Sequence, residues 1–263
     1  VVATLRRWAA GLSYCGGAYA GWQRLPQLPT LQSTVETALS TVADEALSVV
    51  CAGRTDAGVH AVQQVVHFDS AAPRDAQAWL LGGNSLLPGD VSLRWVRPVP
   101  RDFHARFAAL SRHYRYRIHN ARARDALLEG RACWWPRPLD AEAMHRAAQV
   151  LLGEQDFSAF RDAHCQSPTP MRRLTRVAVQ REGEGVVVEV VGNAFLHHMV
   201  RNIVGTLAEV GWGRQPESWV AEVLAAGDRR QAGMTAPAEG LYFLGPVYPP
   251  AFGLPPPGNP PTA

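Results

Sequence analysis

The chain contains no lysine; all 26 of its basic residues are arginine. As composition this is the mark of a GC-rich coding sequence. As chemistry it suits phosphate recognition, because the planar guanidinium fork binds phosphate better than an ammonium does. The two readings are compatible. Cysteine is sparse. Cys15, Cys51, Cys133 and Cys165 are scattered and form no C-x-x-C pair, which excludes a zinc ribbon or a dithiol redox motif. Free thiols in a reducing compartment are expected. No apolar run approaches the ~20 residues a membrane span requires. The stretch 8–12 behind Arg6-Arg7 is too short for a signal sequence, so a cytoplasmic protein is expected. Neither a G-x-G-x-x-G after a strand nor a Walker loop occurs, which removes dehydrogenase and P-loop readings.

What is present is an ordinary globular composition. Of 263 residues, 47% are hydrophobic and 19% charged, and the net charge is +3. That length suits one large domain or two small ones. Strands are expected at 5–14, 48–51, 64–68, 91–96, 108–120, 174–181, 186–191 and 241–247. Helices are expected from Thr30 as N-cap to about Val42, from Pro73 towards Leu81, and at 140–152, 193–210 and 216–225. Glu182-Gly183-Glu184-Gly185 reads as a hairpin turn. The order gives an α+β chain in two halves, 1–107 and 108–248, with mixed or antiparallel sheets. The Pro- and Gly-rich residues 249–263 read as a disordered tail.

The most informative segment is Gly53-Arg54-Thr55-Asp56-Ala57-Gly58-Val59-His60. It is a glycine-framed loop after an apolar strand, with a carboxylate at its centre and a guanidinium two residues before. Loops held on a rigid sheet are where catalytic groups sit; the plainer reading is an Asx-turn. In Arg112-His113-Tyr114-Arg115-Tyr116-Arg117, alternation puts both tyrosines on one strand face and Arg115 and Arg117 on the other. That face packs or stacks: either Tyr114 is an exposed aromatic with Tyr116 in the core, or both are core tyrosines of a half-buried strand. His104 and Arg106 either line a cleft or form a structural hydrogen-bond network. His197-His198, read as helical, points to two different faces without an i, i+4 partner, so no metal site is expected.

These segments resemble, in order and over nearly the whole chain, the tRNA pseudouridine synthase A family. Gly53 to His60 is similar to its catalytic loop G-R-T-D-x-G-V-H. Gly21-Trp22-Gln23-Arg24 matches G-W-Q-R. Asn84 with Leu87-Pro88-Gly89-Asp90 matches N-x-x-L-P-x-D, and Phe103-His104-Ala105-Arg106-Phe107 matches F-H-A-R-F. Tyr114-Arg115-Tyr116 resembles Y-R-Y. The run from Asn193 to Asn202 resembles N-x-F-L-x-x-M-V-R-N. Ala236-Pro237 and Gly240-Leu241-Tyr242 resemble A-P-x-x-G-L-Y. Before G-W-Q-R the family usually has Y-D-G-[ST]; here Tyr14-Cys15-Gly16-Gly17 puts Cys15 at the acidic position.

The resemblance implies two ferredoxin- or RRM-like halves with mainly antiparallel sheets around a central cleft. It implies isomerisation of uridine to pseudouridine at positions 38, 39 and 40 of the tRNA anticodon stem-loop, by a homodimer that needs no cofactor and no metal. Asp56 falls on the catalytic aspartate, Arg201 on the arginine that pairs with it, and Tyr114 on the tyrosine that stacks on the uracil. A carboxylate can attack C1′ or C6, or take a sugar proton, and each role uses the ionised form, which a nearby arginine favours. Arg54 is the candidate to fill the gap left by a flipped base. His104 and Arg106 are candidate substrate contacts. Arg24, Arg112, Arg122, Arg124, Arg172 and Arg173 are candidate phosphate contacts. An enzyme of the same fold acting on other uridines, and a non-catalytic RNA-binding protein, are the alternatives.

Overall fold

Residues 5–259 are described by a computed structural model. In chain order the elements are β1 (Arg6–Tyr14), α1 (Leu31–Ala43), β2 (Val50–Cys51), β3 (His60–Ser70), α2 (Ala76–Leu86), β4 (Val91–Pro98), β5 (Ser111–His119), β6 (Cys133–Trp134), α3 (Ala141–Ala148), β7 (Gly153–Asp156), β8 (Met171–Glu182), β9 (Gly185–Gly192), α4 (Met199–Gly211), α5 (Trp219–Ala226) and β10 (Leu241–Val247). The α+β class expected from the pattern is the class observed.

The chain divides into two compact units. One holds the residues up to Arg112 and those from Phe243; the other is His113–Tyr242. The second boundary therefore differs from the expected 248. The closing half of β10 belongs to the first unit, where β10 neighbours β3. The tail also differs from expectation. Gln63 donates to the Pro255 and Pro256 carbonyls at 3.1 and 2.8 Å, and Arg97 donates to that of Gly253 at 2.7 Å. Proline lacks an N–H, but its carbonyl still accepts, so a Pro-rich segment can dock by its oxygens. Residues 260–263 of that tail lie outside the described residues.

In the first unit β1 pairs antiparallel with β3 on one side and β4 on the other, and β2 pairs with β3. Helix α1 starts where Thr30 caps it, its hydroxyl accepting from the Ser33 N–H. Helix α2 starts at Ala76 rather than at Pro73, because the Asp75 carboxylate takes the Ala78 N–H at 2.7 Å and sets the first turn. Trp8, Phe68 and Trp79 form the centre of this core, Trp79 meeting Phe68 edge-on at 5.0 Å.

In the second unit the sheet order is β5-β9-β8-β7, with β8 antiparallel to both β7 and β9 and β6 parallel to β5. Val186, Val188 and Val190 alternate onto one face of β9 and are fully buried, the period of two that a half-buried strand requires. Helix α3, capped by Asp140, packs on β8 and on α4. It ends at Ala148, and residues 149–151 tighten into a 3-10 turn instead of continuing to 152. Helix α5 begins at Trp219, not Pro216. Helix α4 begins at Met199, not at residue 193, because His198 stands at φ 60° in the left-handed region and breaks any helix entering from the N-terminal side.

Candidate active site

The loop carrying Asp56 joins β2 to β3 in the first unit and is held at every turn. At its entrance the buried Gln64 amide donates to the Gly53 carbonyl at 2.5 Å, and its oxygen faces the Gly53 N–H at 3.4 Å. Next, the buried Thr55 hydroxyl shares a 2.8 Å hydrogen bond with the Tyr14 hydroxyl. The Trp22 N–H donates to the Thr55 carbonyl at 2.9 Å. Gly21 lies against the loop at φ +97°; a Cβ there would sit 2.9 Å from the Thr55 oxygen, so only glycine lets the G-W-Q-R segment approach. The turn closes through the main chain, Val59 N–H to the Asp56 carbonyl at 3.2 Å. At the exit the His60 imidazole Nδ1 accepts the Gly16 N–H at 3.2 Å. Asp56 is half-buried, and Arg54 beside it is exposed.

The Arg112 guanidinium ties this loop to a second one. It donates to the Ala52 carbonyl at 3.1 and 3.2 Å and to the Arg106 carbonyl at 2.5 Å. Arg112 is 9% exposed. It is therefore an internal strut and not the phosphate contact expected of it. His104 and Arg106 form a hydrogen-bond network, as one of the two readings held. The His104 Nδ1 accepts from the Arg106 and Phe107 N–H groups, both at 3.2 Å, and burial lowers its pKa, with help from Arg7 and Arg106. Burial pushes the Cys51 thiol up to about 12, while Arg54 and Arg106 are both near enough to pull the other way. Arg24 is engaged with the buried Glu36 carboxylate.

In the second unit Tyr114 lies on β5 and Arg201 in the first turn of α4. The Tyr114 ring is only 8% exposed and meets Phe195 edge-on at 4.9 Å, so the expectation of an exposed ring is not met. Tyr116 is core, its hydroxyl donating to the Pro237 carbonyl at 2.7 Å. The Arg201 Nε donates to the Ala236 carbonyl at 2.8 Å, and the Ala236 N–H returns to the Arg201 carbonyl at 3.1 Å. This double contact orients the guanidinium fork. Arg229 supports the same segment by donating to Asn202, Thr235 and the Gly233 carbonyl.

His197 and His198 correct another expectation. They occupy the tight turn before α4 and not its surface. Their rings stack at 3.9 Å, and both reach a carboxylate, Asp162, at 3.3 and 2.9 Å. Burial disfavours the Asp162 charge, but the His164 N–H and the two imidazoles outweigh it and hold the group at about 2. Carboxylate and imidazole are donor types a transition metal accepts. Arg172 is 8% exposed and bonded to the Thr169 and Met171 carbonyls and the Ser167 hydroxyl; it too is structural. Arg122, Arg124 and Arg173 are exposed. Sequence reasoning missed Tyr14, Gln64, Asp162 and Arg229. For Tyr14 the only signal was its place beside the early motif; for the others there was none.

Asp56, half-buried at the centre of a braced loop on a rigid sheet, is placed as the acidic group of an enzyme's active site is placed. The profile of a family described as tRNA pseudouridine synthase matches residues 147–249. Whole-chain relatives are more specific. The tRNA pseudouridine synthase A of Cronobacter sakazakii is 55% identical over 249 residues, 95% of this chain and 92% of that protein. Those of Escherichia fergusonii and Salmonella newport are each 56% identical with the same coverage. The chain belongs to the tRNA pseudouridine synthase A family.

Proposed function

We propose that this chain isomerises uridine to pseudouridine at positions 38, 39 and 40 of the tRNA anticodon stem-loop, with Asp56 as its catalytic carboxylate. The observation that carries the reading is the Asp56 loop itself, fixed by Gln64, Tyr14, Trp22 and His60 while Asp56 stays at its centre. Groups held this firmly lose little entropy when a substrate arrives. In the reaction the N1–C1′ bond breaks, the uracil turns, and C5 joins C1′. The C5 proton leaves and N1 gains one, so reactant and product are isomers and no redox cofactor enters the balance. The carboxylate serves as nucleophile at C1′ or C6, or as base toward the sugar; all three use its ionised form.

The target base must first leave its stack, at a cost of a few kcal/mol. Arg54, exposed on the same loop, is assigned to the vacated space. Arg201 supplies charge to the carboxylate, and Tyr114 stacks on the flipped uracil after its contact with Phe195 opens. His104, Arg106 and Arg24 complete the substrate-binding set. The working form is a cytoplasmic homodimer without metal. Among the described residues no helix is long and apolar enough to cross a membrane.

The test is tritium release from tRNA carrying 5-tritiated uridine. Wild type releases tritium and Asp56→Asn does not. Equal release by both overturns the role of Asp56. Tight tRNA binding without release from any substrate favours the non-catalytic RNA-binding reading.

A further inference from the structure

Phe107 is a large aromatic left 77% exposed, on a loop that is otherwise tightly held. Its main chain is pinned by five contacts. Its own N–H and that of Arg106 bond the His104 ring. The Ala105 N–H donates to the buried His67 Nδ1 at 3.1 Å, and the Tyr248 hydroxyl donates to the Ala105 carbonyl at 2.6 Å. The Ala108 N–H closes the turn onto the His104 carbonyl at 2.9 Å. One face of the Phe107 ring already lies on the His104 imidazole, with centroids 4.3 Å apart and planes 27° from parallel. The Arg106 guanidinium stands 5.7 Å from the ring centroid. A single exposed apolar side chain is ordinary; what sets Phe107 apart is a ring held rigid, stacked on an imidazole and flanked by a cation, which suits it to receive a flat partner.

The position of this ring narrows the partner. Arg112 binds the carbonyl of Ala52, which opens the Asp56 loop, and the carbonyl of Arg106 with the same guanidinium. Arg54 and Arg106, both exposed, flank Cys51 together. The ring therefore sits beside the Arg106 guanidinium, on a loop that Arg112 ties to the start of the proposed catalytic loop. Flat, π-faced and joined to anions is the description of a nucleotide in single-stranded or unpaired RNA.

We propose that Phe107, backed by His104, is a stacking platform for an unpaired nucleobase of the RNA substrate, with Arg106 on the adjoining phosphate. This rests on the tRNA-modifying reading above and adds a binding residue to it. The base it takes is a neighbour of the reacting uridine, because Tyr114 is assigned to the uracil itself. Stacking is tolerant of base identity, which suits a site that serves adjacent positions.

The experiment uses the full chain and an unmodified tRNA transcript, and reads Kd, KM and kcat for Phe107→Ala, Phe107→Leu, Phe107→Tyr and Arg106→Gln. Phe107→Ala is expected to weaken tRNA binding and raise KM by roughly 5- to 100-fold, with kcat within about threefold, since the ring does not touch reacting atoms. Phe107→Tyr restores binding and Phe107→Leu does not. The slope of log Kd against log salt stays unchanged in Phe107→Ala and falls by about one in Arg106→Gln. Leucine binding as well as phenylalanine overturns the stacking claim. So does a change of oligomeric mass by light scattering with tRNA affinity intact, which would make the ring a contact between copies of the chain. If wild type makes no pseudouridine yet Phe107→Ala loses affinity with the tyrosine rescue, the platform stands and the catalytic reading falls.

Discussion

Acid should release the Phe107 loop through His67. This residue is buried on β3, and its Nδ1 accepts the Ala105 N–H, so the folded protein needs the neutral imidazole. Burial, the neighbouring His104 and the Arg7 charge hold its pKa down at about 4 against an ordinary 6.5, with Asp69 only partly opposing them. Between those two values the unfolded chain takes up a proton that the folded chain refuses. Stability therefore falls as pH falls through 6.5 and goes on falling to about 4. Lowering pH from 7 to 5 removes about 2 kcal/mol by this linkage. Other groups titrate in the same window, so the measurement is a difference. Urea unfolding of wild type and His67→Gln is compared at pH 7 and pH 5. Glutamine offers an oxygen to the Ala105 N–H but cannot take up the proton. The wild-type midpoint should drop with acid by the equivalent of about 2 kcal/mol more than the variant's. Parallel shifts in the two proteins would refute the reasoning, because they would mean that His67 is no more reluctant to charge in the fold than out of it.

Two further outcomes test the supports of the site. Gln64→Leu leaves the Gly53 main-chain groups without their buried partner and should cost about 1–3 kcal/mol, seen in thermal unfolding. It should also lower kcat while tRNA Kd stays within threefold, since Gln64 holds the Asp56 loop; loss of binding with kcat intact would contradict that. Gly205→Ala would place a Cβ 1.7 Å from the Met234 carbonyl oxygen, so α4 or the segment beside it must shift. A loss of about 1–3 kcal/mol is expected from such overpacking, with reduced tritium release because the Arg201–Ala236 contact lies on the same two elements; an unchanged melting temperature would show that the close approach is not maintained in solution.

Much of the fold could be read from the sequence wherever one local rule dominated. β10 occupies the predicted 241–247, and α1 begins at the Thr30 cap. The reading failed where a distant partner or an unusual backbone angle decided the outcome. His198 adopts a left-handed conformation that no histidine advertises, and α4 starts at Met199, six residues beyond the expected 193, as a result. Arg112 and Arg172 are indistinguishable in sequence from the exposed Arg122 and Arg124; only the carbonyls gathered around them make them internal. For the site, spacing alone favoured an ordinary turn at Asp56, and the ordered family motifs identified the loop. Its rigidity comes from Tyr14 and Gln64, which lie 41 and 11 residues from the groups they hold. Alternation predicted the shared face of Tyr114 and Tyr116 but could not say whether that face was wet.

The same limit explains Phe107. As a letter within F-H-A-R-F it matches Phe103, yet Phe103 is fully buried against Tyr248 and Phe252 while Phe107 stands in solvent on an imidazole. Hydrophobicity treats the two alike. What separates them is the His104 ring, which spends its one acceptor on two successive N–H groups and so turns the chain outward between the phenylalanines. The turn uses the uncharged imidazole as acceptor, and burial together with the Arg7 and Arg106 charges lowers the His104 pKa and so favours that form. One arginine thus has two consequences: Arg106 favours the uncharged imidazole that shapes the loop, and it stands over the ring the loop presents. Exchanging it for a neutral residue removes both, which is why the salt slope, insensitive to loop shape, is the measurement that separates its contact with phosphate from its influence on His104.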